Sequence, residues 1–233
     1  IENSLEGSVS TTLDLLIHET NLKIRRELVV PVQHALIGVP GTNITAIKTV
    51  HSHPQALGQC RRFLGRVLPN VHESAALSTA GAVEDIMSGG DPSVAAIATA
   101  RAAGMYGGEI LAHNIEDNHN NATRFVALAA RDHEPTGKDK TSLCVSVRQN
   151  VPGSLYAVLY ELAADEIQMT KLESRPAKGV LGQYFFLIDI EGHRLDDKVA
   201  RALELMRAKS DIFQVWGSYP QFEPPPSTED HAF

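Results

Sequence analysis

Small polar side chains collect in four short segments of this sequence. The segments are Glu2-Asn3-Ser4, Ser52 with Gln55 and Gln59, Ser78-Thr79, and Asn121 through Arg124. We predict a helix start at each, because a first helical turn offers unpaired backbone N–H groups and a partial positive charge to an anion. The set therefore indicates carboxylate binding by mostly neutral donors. The alternative is that these residues only cap helices and close turns.

Other groups of residues imitate metal or nucleotide sites without the required spacing. The histidines and carboxylates concerned are His51, His53, His113, Glu116, Asp117 and His119. They show neither the helical His-x-x-x-His spacing of zinc enzymes nor the oxygen ligands of a calcium loop, so we predict no metal and interpret them as solvated loop residues. Gly38 and Gly41 fit neither phosphate-binding fingerprint and indicate a tight turn. No Ser or Cys stands in a nucleophile elbow.

Charge and cysteine content narrow the class of protein. The 233 residues carry a formal net charge of -7 and no run of Lys and Arg, so we expect neither nucleic acid nor an anionic membrane as a partner. No apolar stretch approaches the ~20 residues that cross a bilayer. Cys60 and Cys144 show no metal or redox spacing. We expect both to be buried side chains in a reduced, cytoplasmic protein.

Apolar spacing predicts the elements that position the polar segments. Leu13, Leu16 and Ile17 indicate a helix from Ser8 to His18. A strand is predicted from Glu27 to Ile37. A helix runs from a Ser52/Gln55 capping box to Val67, and another runs from Asp91 to Met105 and closes at Gly107.

The polar stretch Glu134 to Lys140 separates two differently patterned regions. The elements predicted after it are strand Ser142 to Arg148, helix Ser154 to Asp165, strand Gln168 to Ser174, strand Tyr184 to Ile190, helix Asp196 to Ala208 and strand Phe213 to Ser218. This βαββαβ order is typical of a ferredoxin-like α+β module. We place one domain at 1–136 and a second at 140–220, and we expect the Pro-rich tail 221–233 to be disordered.

Eight blocks, taken together, resemble a known family. They are IENSLEGSV, HSHPQALGQC, STAGA, NATRF, KTS, NVPGSL, KLESRP and YFFLIDIEGH. In this order and spacing they resemble the signature blocks of prephenate dehydratase. The resemblance implies an α/β catalytic domain of two lobes, like a type II periplasmic binding protein, followed by an ACT regulatory domain. It begins after the strand and GPxGTxS turn with which the family normally starts, and Leu77 stands where a Glu often precedes the STA block.

The resemblance also implies roles for individual residues. Those implied to be catalytic are Glu2, Asn3, Ser52, Gln59 and Thr123. Those expected to bind substrate are Gln55, Ser78, Thr79 and Arg124, with a structural ion pair as the alternative for Arg124. Those implied to bind phenylalanine are Asn150, Pro152, Gly153, Ser154, Leu155, Glu173, Ser174, Arg175 and Pro176.

The implied activity is the decarboxylating dehydration of prephenate to phenylpyruvate. Thr123 would donate the proton to the leaving hydroxyl, or end a relay that does, and no cofactor is required. L-Phenylalanine would act through the ACT domain of a homodimer or homotetramer. Two alternatives stay open: an arogenate dehydratase, and an amino-acid sensor without catalysis.

Overall fold

The computed structural model describes residues 1–177 and 182–223. Its helices are α1 (Ser10–His18), α2 (Pro54–Gln59), α3 (Arg61–Val67), α4 (Thr79–Gly89), α5 (Ala100–Tyr106), α6 (Ser154–Ala164) and α7 (Asp197–Lys209). Its strands are β1 (Glu2–Asn3), β2 (Gly7–Ser8), β3 (Lys23–Pro31), β4 (Ala35–Gly38), β5 (Thr49–Ser52), β6 (His72–Ala75), β7 (Val94–Ala98), β8 (Glu109–Ala112), β9 (Ala122–Ala129), β10 (Asp139–Val147), β11 (Met169–Pro176), β12 (Tyr184–Glu191) and β13 (Ser210–Pro220). None of the helices in these ranges is both long enough and apolar enough to span a membrane.

The chain divides into two units. Unit 1 comprises Ile1–Val30 and Arg124–Phe233, and unit 2 is the continuous segment Pro31–Thr123. The predicted domain limits at residues 136 and 140 stay a prediction.

Unit 2 is built on a five-stranded mixed sheet with the order β6-β5-β7-β4-β8. Strand β5 runs parallel to β6 and β7, whereas β4 runs antiparallel to β7 and β8. Successive side chains of a strand point to opposite faces, so β7 contributes Ala95 and Ile97 to one apolar core and Ala96 and Ala98 to another. The first core includes side chains of α2 and α3, and the second includes side chains of α4 and α5. The sheet therefore lies between two helical layers.

Unit 1 contains two four-stranded sheets, one of which is ferredoxin-like. The first sheet has the order β2-β1-β9-β3. The second has the order β11-β12-β10-β13, which is the 2-3-1-4 arrangement of a βαββαβ unit. Apolar side chains of α6 and α7 pack on one face of this second sheet, and α1 and β3 pack on the other. The βαββαβ order predicted from the sequence is confirmed.

The predicted helix from Asp91 to Met105 is wrong over its first half. Strand β7 occupies Val94–Ala98, and only the part from Ala100 is helical. The Asp91 carboxylate accepts from the Ser93 N–H at 2.8 Å and closes a turn instead of capping a helix. An apolar run buried on both faces of a central strand has no alternation to distinguish it from a helix.

Other predicted elements are interrupted or of another type. The single strand predicted from Glu27 to Ile37 is β3 and β4, which belong to different sheets and are separated by residues 32–34. The helix predicted to reach Val67 is α2 and α3, broken at Cys60. The segments at Glu2 and at Thr123 lie in strands rather than at helix starts. Residues 224–233 of the predicted disordered tail lie outside the described residues.

Candidate active site

Three of the predicted polar residues of unit 2 lie at one edge of its sheet. Ser52 ends β5, while Ser78 and Thr79 begin α4 just after β6. Because β5, β6 and β7 are parallel, their carboxyl ends meet at this edge, where open α/β sheets bind ligands. Thr99, which follows β7 and occupies the N-cap position of α5 without a side-chain hydrogen bond, lies at the same edge and was not predicted from the sequence. A Thr between an apolar run and an Ala-rich helix was the available signal.

The hydroxyl groups of Ser52 and Ser78 at this edge already form hydrogen bonds within the protein. Ser52 is fully buried, and its Oγ donates to the Ile97 carbonyl of the neighbouring strand at 2.6 Å. The Ser78 Oγ accepts from the Gly81 N–H at 2.9 Å, which confirms the predicted helix start. The predicted Ser52 cap of α2 is wrong, because His53 is the N-cap and its ring accepts from the Gln55 N–H. To donate to a ligand, the Ser52 hydroxyl would have to turn away from Ile97.

The side chain of Gln59 is held by a residue that sequence reasoning missed. Gln59 ends α2 and is half-buried, and its Oε1 lies 2.9 Å from Nε2 of His34. His34 immediately precedes β4 and is 7% exposed. Gln55, in the first turn of the same helix, is exposed. A polar residue beside a buried apolar run needs a partner, and this was the only sequence signal for His34.

The prediction that the loop carboxylates are solvated is wrong for Glu116, which is 5% exposed. Its carboxylate accepts from the His34 N–H at 2.8 Å and contacts the His119 ring at 3.0 Å. Burial alone would raise the pKa of Glu116, but these hydrogen bonds outweigh it and the pKa is lowered. Within residues 1–177 and 182–223, no group of three or more His, Cys, Asp or Glu side chains is arranged to hold a metal.

In unit 1, the side chains of Asn3 and Glu2 interact with other residues of the same unit. Asn3 is 9% exposed, and its Oδ1 accepts from the N–H groups of Leu5 and Glu6 at 3.0 and 3.1 Å. The Glu2 carboxylate pairs with Lys171 of β11 at 3.1 Å. The catalytic roles implied for both residues stay predictions.

Arg124 lies in a cluster of acidic and hydroxyl groups. Its guanidinium donates to Glu27 at 2.7 Å, to Asp189 at 2.8 Å and to the Tyr219 hydroxyl at 2.7 Å. Burial opposes the charge, yet Tyr219, Asp189 and Glu27 raise the pKa of Arg124 above its ordinary value. These contacts favour the structural ion pair over substrate binding. Thr123, the preceding residue, is half-buried on β9 and is the last residue of unit 2.

The residues predicted to bind phenylalanine belong to unit 1 and occupy two elements. Gly153, with φ +89°, is the N-cap of α6, whose start has no side-chain cap, and Pro152, Ser154 and Leu155 flank it. Asn150 donates to the Gly182 carbonyl at 2.9 Å and lines a cavity of about 90 Å³.

The remaining residues of that set lie on β11, the edge strand of the ferredoxin-like sheet. Glu173 accepts from the Ser8 Oγ at 2.5 Å, and Arg175 donates to the Asp14 carboxylate of α1 at 2.7 Å. Ser174 and Pro176 alternate with them and are exposed. Together with Thr170 and Leu172 they form the exposed face of this strand.

The two cysteines do not contribute a nucleophile. Cys60 and Cys144 are fully buried, as predicted, and burial raises the pKa of each thiol to about 12. The thiolate, which is the nucleophilic form, is therefore disfavoured at neutral pH.

The family model and the curated relatives that match this chain agree on one family. The prephenate dehydratase family model matches residues 1–133. A bifunctional chorismate mutase/prephenate dehydratase of Neisseria gonorrhoeae is 44% identical over 94% of this chain, which spans only 60% of the length of that relative. A prephenate dehydratase of Methanocaldococcus jannaschii is 38% identical over 96% of this chain and 80% of its own length.

Two solved structures share the fold, each with 35% identity and a TM-score of 0.82. One is described as GqqA, a novel type of quorum quenching acylase, and the match covers 94% of this chain and 80% of that chain. The other is prephenate dehydratase from Arthrobacter aurescens in complex with L-Phe, and the match covers 93% of this chain and 72% of that chain. The family match over more than half of the chain, together with these relatives, establishes that the chain belongs to the prephenate dehydratase family.

Proposed function

We propose that this chain carries the dehydratase function of its family, converting prephenate to phenylpyruvate, carbon dioxide and water. The observation that carries the proposal is the family match over residues 1–133, which contains all the residues expected to be catalytic. Their chemistry supports it, because Ser52, Gln59 and Thr123 offer neutral hydroxyl and amide donors in a chain of net charge -7. Such donors can hold carboxylates at fixed positions without a basic patch.

The reaction needs a donor at the departing oxygen. The bond from the ring to its carboxylate breaks, and its electron pair enters the ring as CO2 leaves. The ring carbon–oxygen bond then gives up its pair to the oxygen, which takes a proton and departs as water. Hydroxide is a poor leaving group, so a donor to this oxygen lowers the barrier. We assign that donor to the hydroxyl of Thr123, directly or as the end of a relay.

Neutral rather than cationic donors suit a carboxylate that must lose CO2. A carboxylate locked in a strong ion pair keeps its charge localised, whereas decarboxylation disperses that charge into the ring. The guanidinium of Arg124 is engaged by Glu27, Asp189 and Tyr219. These contacts support a mechanism in which Arg124 does not neutralise the departing carboxylate.

The enzymatic test compares substitutions at Thr123 in the protein that contains this chain. Thr123→Val removes the hydroxyl and keeps the branched shape, and we expect kcat to fall by roughly 10²–10⁴-fold with a small change in substrate binding. Thr123→Ser keeps the hydroxyl and is the matched control. Phenylpyruvate is followed by its ultraviolet absorbance. A Val variant with near-normal kcat would remove Thr123 from the mechanism.

Running arogenate in parallel with prephenate, with phenylalanine as the measured product, decides between the two substrates. Binding of either compound without turnover would favour the sensor alternative. A wild-type protein that turns over neither compound would overturn the proposed function.

We also propose that the ferredoxin-like module is an ACT domain that binds phenylalanine and inhibits the enzyme. The support is its strand order, the start of α6 without a side-chain cap, and the relative from Arthrobacter aurescens whose structure contains L-Phe. Backbone N–H groups at the start of α6 are suited to the ligand's carboxylate. Pairing of two such sheets in a homodimer or homotetramer would link binding to subunit packing.

Two glycines provide a matched test of the phenylalanine site. Gly153 and Gly137 have φ of +89° and +88°, and a Cβ at either would meet nothing within 4 Å. Gly153→Ala and Gly137→Ala therefore carry the same backbone strain, but only Gly153 stands at the proposed site. Calorimetric titration with L-phenylalanine should show weakened binding by the Gly153 variant alone. Equal binding by both variants would exclude the start of α6.

A further inference from the structure

His34 of unit 2 is a buried polar residue with an incomplete set of partners. It is 7% exposed, and its Nδ1 has no hydrogen-bond partner in the part of the chain that the structure describes. A buried nitrogen without a partner lowers stability, so an apolar residue would fill this place at lower cost if packing alone mattered. The one side-chain hydrogen bond described for His34 is to Gln59, at 2.9 Å.

The direction of this bond follows from the chemistry of the two groups. The atom of Gln59 that faces His34 is Oε1, and an amide oxygen can only accept. The proton of the imidazole therefore lies on Nε2, and the amide oxygen is turned toward the ring. The NH2 group of Gln59, which donates, is therefore not the group bonded to His34.

The segment 115–117 fixes the backbone of both partners. The Ile115 N–H donates to the His34 carbonyl at 3.0 Å, and the Asp117 N–H donates to the Gln59 carbonyl at 2.7 Å. The carboxylate of Glu116, 5% exposed, accepts from the His34 N–H at 2.8 Å. The main chains of His34 and Gln59 are therefore both held by three consecutive residues. The hydrogen bond between their side chains joins two residues whose backbone positions are already fixed.

We infer that His34 is a positioning residue that fixes the orientation of the Gln59 amide, so that its NH2 group rather than its oxygen is presented to an anionic substrate. The inference rests on the proposed function, which gives Gln59 the task of holding a substrate carboxylate. An amide turned by 180° would place oxygen lone pairs against that carboxylate and repel it. His34 acts through Gln59 and does not contact the substrate itself.

The experiment measures kcat and KM with prephenate, and melting temperature, in the protein that contains this chain. His34→Leu removes the donor, and we expect kcat/KM to fall roughly 10-fold with the melting temperature within a few degrees of wild type. His34→Gln carries an amide nitrogen at the reach of Nε2 and should restore most of the loss. His34→Asn, whose amide is too short to reach Gln59, is the second loss variant if the Leu variant does not fold.

A double-mutant cycle separates positioning from a general structural role. If His34 acts through Gln59, then Gln59→Ala and the His34→Leu/Gln59→Ala pair should have the same kcat/KM. Losses that multiply would overturn the inference. An active wild type with an unaffected His34→Leu variant would overturn it as well and leave the proposed function standing. A wild type that turns over neither prephenate nor arogenate would overturn the proposed function and the inference with it.

Discussion

A single carboxylate in unit 1 is shared by two cations at the centre of an ion cluster. The Glu27 side chain is 2% exposed and accepts from Arg124 at 2.7 Å and from Lys140 at 2.9 Å. The Phe222 N–H adds a third hydrogen bond at 3.0 Å. A buried charge with this many donors is stable only while its partners remain, because each cation is itself largely removed from water.

We predict that Glu27→Gln destabilises the protein by roughly 3–5 kcal/mol, since it leaves Arg124 and Lys140 without a shared counter-charge. Urea unfolding at neutral pH measures the change. The matched control is Glu223→Gln, which breaks an ion pair to Lys138 whose side chains are 67% and 79% exposed. That control should leave the unfolding midpoint unchanged. Equal effects of the two substitutions would show that burial adds nothing to the cluster.

The same carboxylate predicts how stability depends on pH. Burial would raise the pKa of Glu27, but hydrogen bonds from Lys140 and Phe222 and the charge of Arg124 lower it below the ordinary 4.5. Its contribution is therefore fully present above pH 4.5 and is lost as pH falls through the lower pKa of the folded protein. The stability difference between wild type and Glu27→Gln should be constant from pH 7 to about pH 5 and shrink below it. A difference that grows on acidification contradicts this assignment.

At the scale of elements, the backbone of the ferredoxin-like sheet packs directly against the backbone of β3. Gly217 of β13 has φ +148°, and a Cβ there would lie 2.3 Å from the Ile24 carbonyl oxygen and 2.9 Å from the Ile24 nitrogen. No real Cβ tolerates such contacts with backbone atoms, so the two strands would have to separate. The glycine is thus required by the packing of one element on another.

Gly217→Ala should cost about 3 kcal/mol or more, because backbone cannot move aside as a flexible side chain can. Gly137→Ala is the control, since it also has positive φ but open space, and it should cost about 1 kcal/mol. Thermal or urea unfolding of both variants gives the comparison. Similar losses at the two sites would mean that backbone strain and not the approach to Ile24 decides the effect.

Elements whose pattern is local could be predicted from the sequence, and those that depend on distant partners could not. Helices α6 and α7 carry apolar stripes at helical spacing, and strand β11 between them alternates. Strand β7 is buried on both faces and was predicted as helix, because a central strand shows no alternation. The Ser78 cap was predictable from neighbouring residues. The bond between His34 and Gln59 was not, because it depends on how β4 and α2 pack.

At the scale of the whole molecule, unit 2 is a single insertion with its own interior. Both of its apolar cores consist of residues between Ala35 and Ile115. Its two ends are joined by a hydrogen bond from the Val32 N–H to the Asn121 carbonyl at 2.8 Å. A segment that enters and leaves at adjacent points and buries its own apolar side chains has the properties of an independently folding unit.

We predict that residues 31–123 expressed alone fold cooperatively. Because both cores lie inside this segment, cutting at its ends removes no residue from either core. Far-ultraviolet circular dichroism during urea unfolding should give one sigmoidal transition, and amide NMR signals should be dispersed. The control is the segment shortened to 31–98, which lacks α5 and β8. A gradual, non-cooperative loss of signal from the 31–123 segment would show that it needs the remainder of the chain.

Thr123 and Arg124 are consecutive residues of β9, and consecutive side chains leave a strand in opposite directions. We therefore expect the hydrogen bonds of the Arg124 guanidinium to hold β9 against rotation about its own axis, and so to fix the direction of the Thr123 hydroxyl on the opposite face. The orientation of Thr123, the proton donor proposed for this reaction, would then depend on Arg124, whose side chain lies on the other face of the strand. Weakening the hydrogen bonds of Arg124 should therefore lower kcat before it weakens the binding of the substrate.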